Sequence, residues 1–165
     1  MDNNELVAEA IRKASDTKAL EIGKEATEKT GGMFKALFPD KKAVVIADKN
    51  TWEAAGKTVF EVLEKEGIDQ REPYIIEDDD LYAEWSYIEK LEAFLAQDEA
   101  IAVAVGSGVI NDLTKLASDH LGRRYMIVGT AASMDGYTAF GASITKDGNK
   151  QTFSCRAPYG IIFDP

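Results

Sequence analysis

Short apolar runs and one-sided helical stripes alternate along this chain from residue 17 onward. Continuous apolar runs of about four to eight residues are typical of strands buried on both faces, whereas a 3.6-residue apolar period is typical of amphipathic helices. The alternation therefore predicts an α/β fold with a mostly parallel sheet flanked by helices. The predicted strands are Thr17–Ile22, Lys42–Ala47, Arg71–Ile76, Ile101–Val105, Tyr125–Val128 and Gly160–Phe163.

Four segments between these strands carry one apolar face each and are expected to be helices. A further helix is expected over residues 3–14, which predicts an N-terminal helical extension over residues 1–16 and a main domain over residues 17–165. Asn50 or Thr51 is the expected cap of the second main-domain helix, because both residue types are favoured there. The four helical segments are Lys24–Phe38, Thr51–Glu66, Leu81–Leu95 and Val109–Leu121.

The pattern changes after Asp135, where the helical period stops. Two strands are expected there, Gly136–Thr145 and Gln151–Arg156, on either side of the segment Lys146–Lys150. That segment reads KDGNK, and Asp-Gly is a strong signal for a hairpin turn. The sequence therefore adds a β-hairpin near its C-terminus to the parallel sheet.

Composition restricts the class of partner. The chain has 165 residues with 45% hydrophobic content, which suits a globular domain with a real core. Its net charge of −10 argues against a nucleic-acid partner, which requires a basic face. No run of about 18 apolar residues is present, so no membrane insertion is expected. The N-terminus is too acidic for a signal peptide and Cys155 is the single cysteine, so we expect a cytoplasmic location.

A glycine turn, Gly106-Ser107-Gly108, joins one buried strand to the following helix. The first backbone N–H groups of a helix lack internal partners and lie at its positive end, so such a turn can bind a phosphate. The segment lacks the third glycine of the common dinucleotide fingerprint, because Asn111 stands in that place. On spacing alone, a phosphate cradle and a plain strand-to-helix turn are equally open.

Asp48 follows the buried strand Lys42–Ala47 at its carboxyl end. A carboxylate in that place can accept two hydrogen bonds from an adenosine ribose and repel a 2′-phosphate. It can also be an aspartate that caps a helix or closes a turn. In the usual dinucleotide-binding domain the acid comes about 20 residues after the glycines, whereas Asp48 precedes them.

A hydroxyl-rich loop, Thr130–Asp135, follows the fifth predicted strand. Open α/β sheets bind ligands at the carboxyl ends of their strands, so Thr130 and Ser133 are candidate ligand contacts. Asp135 can accept hydrogen bonds from a substrate hydroxyl. A ligand-binding loop and a plain polar turn both stay open at this point.

Other polar groups are expected to be structural. The acidic run Glu77–Asp80 suits a solvated loop and helix start better than a metal cluster, because its carboxylates adjoin one another. His120 suits the negative end of its helix, and Cys155 suits an inert strand position. Asp112 is expected to brace the glycine turn, with Lys115 as its ion-pair partner one turn on.

Four stretches in this order carry a family resemblance: VVIADKNTWEAAGK, VAVGSGVINDLTKLAS, IVGTAASMDGYTAFGASITKDGNKQTF and PYGIIFD. On these motifs the chain resembles the glycerol dehydrogenase, 3-dehydroquinate synthase and iron-containing alcohol dehydrogenase superfamily, whose cofactor domain is Rossmann-like. The segment TAASMDGY, followed by the Asp-Gly hairpin, is the most specific part and is most similar to the sn-glycerol-1-phosphate dehydrogenases.

The resemblance implies a reaction and a set of site residues. The reaction is the NAD- or NADP-dependent reduction of dihydroxyacetone phosphate to sn-glycerol 1-phosphate by hydride transfer. Asp48 matches the acid that holds the adenosine ribose, Thr130 and Ser133 match cofactor contacts near the nicotinamide, and Asp135 matches a contact to the polyol substrate. The family's pyrophosphate loop, more often Gly-Gly-Gly-Ser, matches Gly106, Ser107, Gly108, Val109 and Ile110.

The resemblance also implies a second, helical domain that carries a divalent metal (zinc, nickel or iron) on one aspartate and two histidines. Those ligands have no counterpart here and are expected beyond Pro165. We therefore expect no metal ligand and no turnover in this chain, which we interpret as the cofactor-binding domain of a longer enzyme. The alternatives are another alcohol dehydrogenase of the superfamily, or a nucleotide-binding module without turnover. An exposed apolar face toward the second domain would favour a homodimer.

Overall fold

A six-stranded sheet, parallel throughout, forms the centre of the protein. The computed structural model describes residue 5, residues 16–130 and residues 139–164. The order across the sheet is β1-β8-β5-β4-β2-β3, and every pairing in it is parallel, so the predicted fold class is confirmed. In chain order the strands are β1 (Ala19–Ile22), β2 (Ala43–Asp48), β3 (Tyr74–Ile76), β4 (Ile101–Gly106), β5 (Met126–Gly129), β6 (Ala142–Lys146), β7 (Asn149–Phe153) and β8 (Gly160–Phe163).

Helices follow the strands and cover both faces of the sheet. The predicted helix over Lys24–Phe38 is divided into a 3₁₀ turn and an α-helix, and the predicted helix from Leu81 begins later, at Trp85. The late start follows from Glu84, whose extended backbone and carboxylate cap the helix by accepting the Ser86 N–H at 2.8 Å. The helical elements are the 3₁₀ turn Ala26–Lys29, α1 (Thr30–Leu37), α2 (Lys49–Thr51), a π turn (Trp52–Gly56), α3 (Lys57–Lys65), α4 (Trp85–Leu95) and α5 (Gly108–His120).

Successive side chains of each sheet strand lie on opposite faces, so the sheet has two separate cores. On one face α4 and α5 pack against Val44, Ile46, Ala102, Ala104, Ile127 and Ile161. On the other face α1 and α3 pack against Ala43, Val45, Ala47, Val103, Val105, Val128 and Ile162. Burial on both faces explains why these strands are continuous apolar runs rather than alternating ones.

The chain reverses its direction across the sheet between β2 and β4. From β2 it moves outward to the edge strand β3, whereas from β4 it moves the other way to β5 and then β8. The helices after these two strands consequently lie on opposite faces, with α3 in one core and α5 in the other. This reversal leaves a crevice at the carboxyl ends of β2 and β4, the place where open α/β sheets bind ligands.

The predicted hairpin is formed by β6 and β7, which pair antiparallel apart from the main sheet. Asp147 and Gly148 both have positive φ, at 54° and 79°, as a two-residue turn of type I′ requires. The strands are shorter than predicted, and residues 136–138 of the first one lie outside the described residues. Ile144 of β6 is buried in the core formed by α4 and α5, so the hairpin packs over α5.

Both ends of the chain carry predictions that the described residues do not test. The predicted N-terminal extension lies outside them, apart from Glu5 and Asp16. Pro165, beyond which the metal ligands are expected, also lies outside them, so that expectation stays a prediction. None of the helices in the described ranges has the length and apolar content needed to cross a membrane.

Candidate functional site

The carboxyl ends of the central strands lie at one level of the sheet. Gly106 of β4 pairs with Gly129 of β5, and Asp48 of β2 pairs with Ile76 of β3. In the pairing of β2 with β4, Ile46 lies opposite Ala104. These two residues come two positions before Asp48 and Gly106, so the two strands end at the same level. Since neighbouring strands lie about 4.8 Å apart, the three strand ends form one short row across the crevice.

Asp48 ends β2 and at once caps the helix that follows. Its Oδ1 accepts the Thr51 backbone N–H at 2.8 Å, and the Thr51 hydroxyl accepts the Asp48 backbone N–H at 3.0 Å. The predicted cap at Asn50 or Thr51 is therefore wrong, because β2 runs into α2 without an intervening loop. Within the described part of the chain Oδ2 of Asp48 has no hydrogen bond, so the cap leaves one carboxylate oxygen available.

An acidic segment borders Asp48 on the side of β3. Glu77 follows β3 directly, and residues 77–80 are exposed, as predicted. Lys49 forms an ion pair with Asp79, and the hydrogen bond that it donates to Asp79 is the main reason that the pKa of Lys49 is raised. The cation next to Asp48 is therefore already paired with a carboxylate.

The glycine turn joins β4 to α5 without a loop. Ser107 is the N-cap residue, with φ −89° and ψ −170°, and its side chain makes no capping hydrogen bond. The positive end of α5 is therefore not blocked by its own cap. A Cβ on Gly106 would lie 2.9 Å from Cβ and Cγ1 of Ile110, whereas a Cβ on Gly108 would meet no atom within 4 Å.

The two glycines thus serve different purposes. Gly106 is required by the packing of α5 against the end of β4, because Ile110 is fully buried against it. Gly108 faces open space, where a ligand could approach the backbone closely. Ile110 can offer a ligand only its backbone, and Val109 is half-buried.

Thr130 follows β5 and is exposed. Its backbone N–H donates to the Gly106 carbonyl at 3.2 Å, which ties the end of β5 to the glycine turn. A cavity of about 320 Å³ opens beside it, at the carboxyl ends of β5 and β8. The cavity is lined by Thr27, Ala54, Ala55, Val128, Gly129, Thr130 and Asp164.

Sequence reasoning missed two polar residues of this cavity. Oδ2 of Asp164 accepts the Thr27 hydroxyl at 3.0 Å and the Thr27 backbone N–H at 3.3 Å. These residues are 137 positions apart, and no local signal joins them. Ser133 and Asp135, the other predicted site residues, lie outside the described residues.

Comparison with known proteins identifies the family. The sequence profile of the family described as iron-containing alcohol dehydrogenase matches residues 21–165. The chain belongs to the iron-containing alcohol dehydrogenase family. The family resemblance predicted from the motifs is thereby confirmed.

Curated relatives in this family share a common name. A glycerol-1-phosphate dehydrogenase [NAD(P)+] of Halalkalibacterium halodurans is 35% identical over 122 residues, which are 73% of this chain and 31% of that protein. The enzyme of the same name from Pyrococcus furiosus is 34% identical over 144 residues, which are 87% of this chain and 40% of that protein. The chain therefore spans less than half of the length of these relatives.

Solved structures of other dehydrogenases share the fold. An iron-containing alcohol dehydrogenase from Thermotoga maritima aligns with a TM-score of 0.77 at 17% identity, over 91% of this chain and 46% of that chain. A probable glycerol dehydrogenase from Sinorhizobium meliloti aligns with a TM-score of 0.73 at 20% identity, over 90% of this chain and 39% of that chain.

In this member of the iron-containing alcohol dehydrogenase family, Asp112 and Lys115 contact the hairpin and not the glycine turn. Oδ2 of Asp112 accepts the Ser143 backbone N–H at 3.3 Å, and Lys115 Nζ lies 3.9 Å from Oδ1 of Asp112. The predicted ion pair is present, but the predicted target of the brace is wrong. The reason is that α5 carries both residues away from Gly106, beneath the start of β6.

Two other polar groups have structural partners. Oδ1 of Asn111 accepts the hydroxyl of the buried Tyr125 at 2.5 Å, so Asn111 links α5 to the start of β5. His120 contacts Glu92 of α4 through Nδ1, in addition to its place at the end of α5.

The thiol of Cys155 is buried, and burial raises its pKa to about 11. An inert thiol is consistent with the prediction, although Cys155 lies after β7 and not within a strand.

No group of three or more His, Cys, Asp or Glu side chains that could hold a metal ion occurs among the described residues. The described part of this family member therefore does not fit the metal that the family name implies. The described residues end at Asp164, so the metal ligands predicted beyond Pro165 are not tested by this observation.

Proposed function

We propose that this chain binds the cofactor in an NAD(P)-dependent dehydrogenase that reduces dihydroxyacetone phosphate to sn-glycerol 1-phosphate. The observation that carries the proposal is the row formed by Asp48, Gly106–Gly108 and Thr130, at the crevice where the strand order reverses between β2 and β4. The substrate is inferred from the names of the relatives, which are similar along most of this chain.

The row can hold an extended dinucleotide from end to end. Oδ2 of Asp48 would accept hydrogen bonds from the adenosine ribose, while Oδ1 keeps the helix cap. The uncapped start of α5 would hold the pyrophosphate with backbone N–H groups of Gly108, Val109 and Ile110. Thr130, at the far end of the row, would lie toward the nicotinamide.

The nicotinamide supplies the hydride when the cofactor is bound. This chain would position the ring, with Thr130 and Ser133 as the proposed contacts. Asp135 is the proposed acceptor for a hydroxyl of the polyol substrate. The acidic segment beside Asp48 and the pairing of Lys49 with Asp79 favour NAD over NADP, because both oppose a 2′-phosphate.

The described residues include no group of side chains that could hold a metal ion, so none of the residue roles proposed above involves a metal. We propose that the metal ligands belong to the part of the relatives' length that this chain does not span, beyond the position of Pro165. The isolated chain should then bind the cofactor without turning over substrate. A nucleotide-binding module without turnover is the second candidate, and it is favoured by the same lack of a described metal cluster.

Calorimetric titration of NADH into the chain tests the binding part of the proposal. Asp48→Ala should weaken binding, whereas Thr51→Ala, which removes only one half of the helix cap, should leave the affinity for NADH unchanged. Equal affinities for Asp48→Ala and the unsubstituted chain would remove the ribose role. Oxidation of NADH by dihydroxyacetone phosphate in the full-length protein separates the dehydrogenase from the module without turnover.

A homodimer and a cytoplasmic location stay predictions. Ile22, Tyr82 and Phe140 expose 44%, 53% and 63% of their surface, and they lie in separate parts of the fold, at the end of β1, before α4 and before β6. Light scattering of the purified chain over a range of concentrations tests the dimer, and a constant monomer mass would contradict it.

A further inference from the structure

Asp164 extends the row of strand ends by one strand. Gly129, at the end of β5, pairs with Phe163, at the end of β8. Thr130 and Asp164 are the next residues along these two strands, so they leave the sheet at the same level. The ends of β2, β4 and β5 already carry Asp48, the glycine turn and Thr130, and β8 is the next strand in the sheet. Asp164 therefore stands at the fourth adjacent strand end of the crevice.

The carboxylate of Asp164 is held from one side. Its Oδ2 accepts the hydroxyl of Thr27 at 3.0 Å and the Thr27 backbone N–H at 3.3 Å. Thr27 is buried in the 3₁₀ turn after β1, and its own carbonyl accepts the Thr30 hydroxyl at 2.7 Å, which ties that turn to α1. None of the described residues donates a hydrogen bond to Oδ1 of Asp164. One oxygen thus fixes the orientation of the carboxylate, and the other keeps its acceptor capacity.

Asp164 and Thr27 both line the cavity of about 320 Å³ beside Thr130. The rest of the described lining is small or apolar, namely Ala54, Ala55, Val128 and Gly129. Pockets with apolar walls and a few placed polar groups orient their ligands through those polar groups. The described lining carries one negative charge and no cation, so it would repel a phosphate. The ligand that suits this cavity is a flat ring with a neutral N–H donor.

The cofactor of the proposed reaction carries two such donors. One is the carboxamide NH₂ of the nicotinamide, and the other is the 6-amino group of the adenine. The proposed row places the ribose at Asp48 and the pyrophosphate at the glycine turn, so it directs the nicotinamide toward β5 and β8. The carboxamide is therefore the donor that we expect at Asp164.

We infer that Asp164 binds the cofactor: Oδ1 accepts a hydrogen bond from an amino group on a ring of the dinucleotide, and Thr27 is the positioning residue that holds the carboxylate. The inference rests on the proposed function and adds a contact to the same site. Hydrogen bonds to an ionised carboxylate are about twice as strong as those between neutral groups. Because the bond requires one direction of the N–H group, Asp164 fixes the orientation of that ring in the crevice.

Calorimetric titration of NADH and ADP-ribose into the full-length protein and its Asp164→Ala variant tests the contact. Asp164→Ala should weaken NADH binding by about tenfold or more, because a hydrogen bond to a charged group contributes about that factor. ADP-ribose has the adenine and lacks the nicotinamide. An unchanged affinity for ADP-ribose assigns the bond to the carboxamide, whereas an equal loss for both ligands assigns it to the adenine.

Two analogues of NADH separate the hydrogen bond from a general structural effect. The acetylpyridine analogue has a methyl group in place of the carboxamide NH₂, and the hypoxanthine analogue has an oxygen in place of the 6-amino group. The analogue without the donating group should bind the unsubstituted protein about tenfold more weakly than NADH does. In Asp164→Ala, NADH and that analogue should bind equally, because the acceptor is gone.

Two further variants exclude misfolding and an effect of charge alone. In Asp164→Asn the Thr27 donors require the amide oxygen, so the amide NH₂ would face the amino group of the ligand, and NADH binding should weaken as well. Glu28→Gln is the matched control, because Glu28 is an exposed acid of the same 3₁₀ turn and does not line the cavity. Its affinity for NADH should stay within about twofold of that of the unsubstituted protein.

The outcomes separate this contact from the proposed function. An NADH affinity that neither Asp164 variant lowers would overturn the contact and leave the proposed function standing. A loss of the same size in Glu28→Gln would overturn it too, since net charge would explain both. So would an analogue that stays weaker than NADH by the same factor in Asp164→Ala. If the unsubstituted protein binds neither NADH nor ADP-ribose, the proposed cofactor site is wrong, and the contact at Asp164 with it.

Discussion

Asp48 and Thr51 cap the helix after β2 through two reciprocal hydrogen bonds, from the Thr51 N–H to Oδ1 at 2.8 Å and from the Asp48 N–H to the Thr51 hydroxyl at 3.0 Å. The cap uses one oxygen of a carboxylate whose other oxygen is proposed to bind ribose. One residue thereby joins the stability of the fold to the affinity for the cofactor, and substitutions can separate the two.

Removing either half of this cap should lower stability, and only Asp48 should affect the cofactor. Asp48→Ala and Thr51→Ala should each reduce the free energy of unfolding by about 0.5–2 kcal/mol. Asp48→Ala should also weaken NADH binding by roughly tenfold or more, since hydrogen bonds to a charged group contribute about 1.5–3 kcal/mol. Denaturant unfolding and calorimetry measure the two effects, and weaker NADH binding by Thr51→Ala would contradict the separation.

Alanine at the two glycines of the turn should have opposite consequences. Gly106→Ala places a Cβ 2.9 Å from Ile110 and should reduce the free energy of unfolding by about 1–3 kcal/mol through overpacking. Gly108→Ala meets no atom within 4 Å and should leave stability unchanged or slightly higher, because alanine favours the helix. Its methyl group should nevertheless weaken NADH binding.

Thermal melting and NADH titration of the two variants test this contrast. A Gly108→Ala variant that binds NADH as well as the unsubstituted chain would argue against a pyrophosphate at the turn. A Gly106→Ala variant with unchanged stability would show that Ile110 can move aside.

Releasing Lys49 from its ion pair should shift the cofactor preference toward NADP. Lys49 pairs with Asp79 beside Asp48, and the two side chains are 47% and 77% exposed, so the effect should be small. Asp79→Asn should tighten NADPH binding by about fivefold or less with NADH binding unchanged. The control is Asp80→Asn, which removes a charge from the same exposed segment without releasing Lys49. An equal gain in NADPH affinity in both variants would show that the effect comes from net charge alone.

Cys155 should be unreactive while the protein is folded. Burial raises the pKa of the thiol to about 11 from 9.0, so at pH 8 the folded chain should resist iodoacetamide and the unfolded chain should react. Alkylation rates in buffer and in denaturant, followed by mass spectrometry, measure this difference. Equal rates in the two conditions would show that the thiol is accessible.

The same shift predicts a loss of stability at high pH. A group whose folded pKa is raised contributes stability that is present below its unfolded pKa and is lost as the pH rises through the folded value. For Cys155 the loss should therefore occur between about pH 9 and 11. Cys155→Ala, which cannot titrate, should lack this part of the pH dependence in denaturant melts.

The four central strands of the sheet could be predicted closely because their signal is local, whereas the predicted edge strands Thr17–Ile22 and Arg71–Ile76 begin two and three residues before β1 and β3. The predicted Gly160–Phe163 has the observed bounds of β8, and Lys42–Ala47 differs from β2 by one residue at each end. Strands buried on both faces must be apolar throughout, so the pattern shows them directly. Helix starts were harder, because the residue that caps a helix depends on the backbone before it, as Asp48 and Glu84 show.

The candidate site likewise has residues that could be predicted from the sequence and contacts that could not. Asp48, the glycine turn and Thr130 could be chosen as single residues, since each follows an apolar run. The helix cap at Asp48 was one of the two readings that the sequence left open, and the structure shows it. That Lys115 holds Ala139 and Gly141 and that Asp164 bonds to Thr27 could not be predicted. The partners of Lys115 and Asp164 lie 24 to 137 residues away in the chain.

By itself the sequence determined the alternation of strands and helices, the glycine turn and the Asp-Gly hairpin, because each depends on neighbours within a few residues. Only the tertiary structure decided the strand order β1-β8-β5-β4-β2-β3 and the reversal that brings Asp48 beside Gly106. It also decided which carbonyls the buried Lys115 would hold. These relationships arise when distant segments pack together, and no local pattern of residue types specifies which distant segment will be the partner.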